Sequence, residues 1–285
     1  MSFFSAPVPV DIERPVLDLS GDSIRMALQI MVSGSEDMGG IERYVDAVKL
    51  KSTMFRQALV EHPVENLDLE TFKGLCTFMS TVRRRIGNWL MEDAFAGMRE
   101  GIVALFVDDD DIDARIGAFC ARYPNDKQHR WVRDLATEML HNADPERVPL
   151  MNRWIWDATA NTGVIREIWH GEDVDHIKIP VGDSYDTYLM LREELSQFLN
   201  TEGVFRDVLH YVDILCAQVY AQYICEQGGS YLRTDFSAPE DPMQHTRRLL
   251  GLDGVRVGNG KTRLKTIDGE AFVLDASSTL NGTTN

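Results

Sequence analysis

The run from Val204 to Ile224 sets the strongest limit on what this chain can fold into. It is the longest stretch of apolar residues at helical spacing, with Leu209, Val212, Leu215, Val219 and Tyr220 among them, and it stops at Gly228-Gly229. A helix that is hydrophobic over most of its circumference has to be covered on nearly every side. Other helices are the natural cover. The chain supplies them: apolar residues return at helical spacing from Ile41 to Leu59, and Asp68 and Asp111 stand where they cap the helices that follow. Further helices are expected over 20–33, 82–106, 112–121, 127–142, 164–169, 184–199 and 242–250, with one more starting near Val148 and ending at Asn161-Thr162-Gly163. The expectation is an all-α, multi-helix orthogonal bundle over 1–230.

After Tyr231 the pattern changes. VRVGNGKTRLKTIDGEAFVLD alternates and carries turn signals at Gly258-Asn259-Gly260 and Asp268-Gly269, which predicts a short β-hairpin appendage within 231–285, followed by a polar tail.

Charge and cysteine content narrow the setting. With 29 basic and 45 acidic residues the net charge is -16, so nucleic-acid phosphates and anionic membranes repel the body at long range. A nucleic-acid partner therefore requires a local basic patch. Candidates are Arg83-Arg84-Arg85, Arg130 with Arg133, Arg247-Arg248 beside His245, and the alternating Lys261, Arg263 and Lys265. No apolar run reaches the roughly 18 residues that span a bilayer, and the N-terminal sequence lacks a signal-peptide pattern. Cys76, Cys120, Cys216 and Cys225 are scattered without a CxxC pair. These features predict a cytoplasmic protein with reduced thiols and no membrane contact. A protein partner or a second copy of the chain stays open.

Two constellations bear on chemistry. Four of the seven histidines follow a carboxylate by three residues: Glu138 and His141, Glu167 and His170, Asp173 and His176, Asp207 and His210. Such pairs share a helix face, and helical bundles hold di-iron or di-manganese centres with this spacing. Glu138, His141, Glu167, His170, Asp207 and His210 are thus the ligands of an alternative, non-haem iron or manganese oxidoreductase. Against it, a straight hairpin about Pro145 separates the first two pairs by about 30 Å at 1.5 Å per residue. The simpler reading places them as surface or capping pairs. There is no nucleophile elbow and no phosphate-binding glycine loop.

The second constellation is the stretch Glu146 to Asp183, which concentrates Trp154, Trp156 and Trp169. Arg147 to Trp154 (RVPLMNRW), Gly163-Val164, Ile168-Trp169 and Ile179-Pro180, in this order and spacing, resemble a bacterial family of the helix-hairpin-helix DNA glycosylase superfamily. The resemblance covers about 40 residues. It implies an all-α fold, a base flipped out of nucleic acid, no cofactor, and an aspartate at the start of the next helix that stabilises the sugar cation or activates water. That position is Gly182 here, so the implied catalytic carboxylate moves to Asp183, with Asp186 one turn on. Arg153, Trp154 and Trp169 would form the substrate pocket. The family pattern continues with a histidine where this chain reads Ser184-Tyr185, and no lysine is placed for a Schiff base. A non-catalytic protein-interaction domain is the third reading.

Overall fold

The computed structural model describes residues 15–36, 39–107, 111–171, 174–228, 243–258, 261–265 and 271–275. Among these the chain forms ten α-helices: α1 Gly21–Ser35, α2 Glu42–Arg56, α3 Leu69–Thr77, α4 Glu92–Leu105, α5 Ile112–Cys120, α6 Trp131–Ala143, α7 Val164–Glu167, α8 Tyr185–Thr201, α9 Val208–Gly228 and α10 Gln244–Leu249. No helix among the described residues is long and apolar enough to cross a membrane.

Local chemistry sets three of the helix starts. Ser20 accepts from the Ser23 amide at 3.3 Å, Asp68 from Thr71 at 2.7 Å and Asp111 from Ala114 at 2.8 Å, each satisfying a first-turn N–H. α2 widens into a π turn at Gln57–Glu61 and ends before Pro63.

The long apolar helix takes the place its sequence demands. α9 packs against α1, α2, α7, α8 and α10, while α6 lies on α2 and α5, and α5 on α4. Val212, Ile214, Leu215, Ala217, Val219 and Ala221 are all buried. α10, which the sequence pattern groups with the C-terminal appendage, is part of this core: Thr246 donates to Gln218 at 2.7 Å, and Met243 and Leu250 are buried. Gly251 then lies flat on the chain, with φ +73° and so little room that a Cβ would overlap the Phe78 carbonyl. Residues 255–258, 261–265 and 271–275 follow an antiparallel path. Both turns between them lie outside the described residues, and the hairpin stays an expectation.

Two expected helices are corrected. The run 82–106 is not continuous: the chain turns over 80–85, makes a 3-10 turn at Gly87–Trp89, and only then enters α4. Gly87 is a costly helix interior residue, and Arg83 is drawn away to the Thr77 carbonyl and to Asp253. Nor does a helix follow Val148. There the Arg153 amide is captured by the Asp134 carboxylate at 3.3 Å, and a bridge between Asp157 and Thr162 turns the chain back. Trp154, Ile155 and Trp156 are buried one after another without helical spacing.

That turn is closed by Gly163. Its φ is +125°, and a Cβ there would stand 2.6 Å from the Ile155 carbonyl oxygen. Gly163→Ala is expected to lower stability by about 2 to 4 kcal/mol, because backbone strain and a backbone clash act together. Urea unfolding of the variant, compared with a neutral change at exposed Ala160, measures it.

Candidate functional site

The start of α8 joins both ends of the 147–188 stretch. Arg133 on α6 donates to the Met151 carbonyl at 3.1 Å and to the Asp183 carbonyl at 2.9 Å, and its guanidinium lies 3.8 Å from the Asp183 carboxylate. Trp156 donates its indole N–H to Val181 at 3.3 Å, Tyr188 its hydroxyl to Trp156 at 2.7 Å, and Tyr185 its hydroxyl to Arg147 at 2.8 Å. Asn161 holds Ile177 and Ile179 from the other side. The stretch is one packed unit inside a helical body.

Asp183 keeps 44 % of its side chain exposed, and Asp186 is exposed on the first turn of α8. The side chain that caps this helix is neither Asp183 nor Ser184. Asp113, from α5, accepts the Tyr185 amide on both oxygens at 3.1 and 2.9 Å. Burial raises the Asp113 carboxyl above its ordinary range, opposed by that amide and by Arg133. The sequence gives no hint of Asp113, which comes from 72 residues away.

The aromatic candidates are mostly core. Trp154 is 6 % exposed, with Tyr220 at 5.9 Å and Tyr223 a further 5.6 Å on. Trp169 is half-buried against the core and bridges Leu19. Arg153 pairs with buried Asp134 at 3.2 Å.

A second polar centre lies deeper. Lys51 of α2 donates to Glu138 of α6 at 3.0 Å and to the Leu250 carbonyl at 3.0 Å. The other Glu138 oxygen accepts from the Asn152 amide at 2.9 Å. One turn along α6, His141 contacts Asp213 of α9 at 3.1 Å and the Val148 carbonyl at 2.9 Å. All of these residues are at most 5 % exposed. They line a cavity of about 10 Å³, the room of a single water. Asn152 Oδ1 and the Trp154 indole nitrogen, on residues of the same lining, have no hydrogen-bond partner among the described residues. Cys76 is near enough for the Glu138 carboxylate, after burial itself, to push its thiol well above the ordinary range, which makes it a poor nucleophile. A larger cavity of about 230 Å³ is lined by Val60, Phe106, Arg115, Leu140, Arg147 and their neighbours. Asp183 lines neither.

The proposed metal ligands are divided among different partners. Glu138 is neutralised by Lys51, His141 faces Asp213, Asp207 pairs with Lys49 at 2.9 Å, and His170 lies exposed 3.8 Å from Asp18. Among the described residues no group of three or more His, Cys, Asp or Glu converges as a metal ion requires. Sequence reasoning missed Lys51, Asn152 and Asp213. The signal was there for two of them: Lys51 falls on the apolar stripe of Val48 and Phe55, and Asp213 sits within the most apolar run.

Compared with protein-family models, with curated proteins and with solved structures, the chain finds no match.

Lys51→Met leaves a buried carboxylate unpaired and is expected to cost about 3 to 5 kcal/mol, most of it recovered in the Lys51→Met, Glu138→Leu double variant. Chemical denaturation of the three proteins decides it. His210 supplies a pH test. Burial lowers its pKa first of all; Asp213 and Asp207 act to raise it, and His141 and Lys49 to lower it further. A depressed folded-state pKa gives stability that is present above the ordinary value of about 6.5 and is lost as the pH falls through the folded value. Thermal melts between pH 7 and 5 should therefore fall less steeply for His210→Gln than for the parent.

Proposed function

We propose that this protein is a divergent DNA-glycosylase-like protein, built as a multi-helix orthogonal bundle, that binds and acts on a nucleobase in nucleic acid. The observation that carries the reading is the Arg133 clamp. One guanidinium ties Met151, in the stretch that carries the resemblance, to Asp183, one residue beyond Gly182, where the resemblance puts the carboxylate.

In this reading Asp183 is the reacting carboxylate. It is partly open to solvent, so a substrate can reach it, and the helix start behind it favours negative charge. An ionised carboxylate there offers what the breaking of a glycosidic bond asks for: a negative group beside a sugar that is becoming cationic. Arg133 positions it by holding its backbone carbonyl. Arg153 is held by Asp134 and Trp154 is buried beside Tyr220, and in this reading they belong to the frame that carries the junction.

The test is base release from duplex and single-stranded oligonucleotides carrying uracil, hypoxanthine, 3-methyladenine or 8-oxoguanine, read by strand cleavage at the abasic product in alkali. The parent should release at least one of these bases. Asp183→Asn should lower the rate about a hundredfold or more with its melting temperature unchanged. Equal rates in the two proteins would remove Asp183 from the chemistry.

A further inference from the structure

On a chain of net charge -16, ordinary surface cations find carboxylates. Arg25 pairs with Glu202, Lys49 with Asp207, Arg83 with Asp253 and Arg122 with Glu100. Others, such as Arg43, Lys178 and Arg206, stand singly with no ion pair to a described carboxylate, and one corner gathers four. Arg84, Arg85, Lys127 and Arg130 are all exposed, and no ion pair joins any of them to a described carboxylate. They belong together in space: the Arg85 guanidinium donates to the Lys127 carbonyl at 3.2 Å, which binds the turn over 80–85 to the segment that leads into α6.

The corner is also aromatic. The half-buried ring of Trp89 lies 5.2 Å from Tyr123, 6.2 Å from His129 and 6.4 Å from Trp131. The one acid of the segment, Asp126, is occupied by the His129 ring at 2.9 Å and by two backbone amides. Glu92 and Asp93 stand in the first turn of α4, three residues or more beyond Trp89, and take none of the four cations. Arg130 itself is the N-cap of α6, whose first turn has no side-chain cap. Its N–H groups add to the positive field.

We infer that this corner binds single-stranded nucleic acid, with backbone phosphates on Arg84, Arg85, Lys127 and Arg130 and an unpaired base against the Trp89 and His129 rings. Cations alone would suit any anionic polymer. Aromatic rings set among them suit one whose monomers carry both a phosphate and a free planar face. A duplex offers the phosphates and hides the faces. The inference rests on the nucleic-acid reading above, and it states where the strand lies without requiring any chemistry at Asp183.

Fluorescence anisotropy of the full chain with labelled 12-mer oligothymidylate, a 12-mer duplex and poly-glutamate tests it. Oligothymidylate should bind, with a salt slope of about −3 if four phosphates are neutralised at about −0.7 each. Arg84→Glu with Arg85→Glu should weaken it about tenfold or more and flatten the slope. Trp89→Ala should weaken oligothymidylate and leave the duplex unaffected; Trp89→Phe, which keeps a ring for a base and for the core, should restore most of the loss. Absence of binding by the parent, or equal binding by the double charge reversal, overturns the inference. So does poly-glutamate binding as tightly as oligothymidylate, which would mark an acidic-protein interface instead. Binding at the corner with no base release would remove the catalytic reading and leave this one standing.

Discussion

Four separate parts of the bundle meet at a buried lysine and glutamate. Lys51 and Glu138 come from helices 87 residues apart in sequence, and each alone would be a buried charge with a large desolvation cost. Together they are tolerable only if their remaining hydrogen-bonding capacity is met. It is met by Asn152 from the irregular stretch after α6 and by a backbone carbonyl from the end of α10. Four separate parts of the chain thus converge on one ion pair. An apolar core would accept many small slips of one helix along another; a charge pair with fixed partners accepts few.

The same centre shows which parts of the fold were legible in advance. Helices whose evidence is local, such as α1 with Ser20, α3 with Asp68 and α5 with Asp111, follow from the residues themselves. The central position of α9 follows from its apolar circumference. What could not be read is where a distant side chain overrides a local preference. Asp134 takes the backbone amide of Arg153 and with it the helix expected after Val148. Asp113 takes the capping role at α8, whose own N-cap residue, Ser184, makes no side-chain cap bond. Glu138 and His141 were legible as a pair on one helix face. Their partners Lys51 and Asp213 were not, since spacing along a helix says nothing about what another helix brings to it.

Electrostatics separate the surface from the interior in this protein. An acidic body offers its basic side chains a surplus of carboxylates, and against that surplus a cluster of cations that takes none is informative. On a neutral protein four unpaired cations would be ordinary. Here they stand against the background, and they do so beside the chain's second grouping of tryptophans, Trp89 and Trp131, away from the Trp154 and Trp156 pair that the sequence brings forward.

The placement of Gly251 against the Phe78 carbonyl has a consequence for how the chain is made. Lys51, Glu138 and Asn152 are synthesised early, yet the carbonyl that completes their shell arrives at residue 250. The shell of the polar centre is complete only when residue 250 packs against it, and a glycine with no side chain at 251 lets the chain pass directly over the Phe78 carbonyl as it does so.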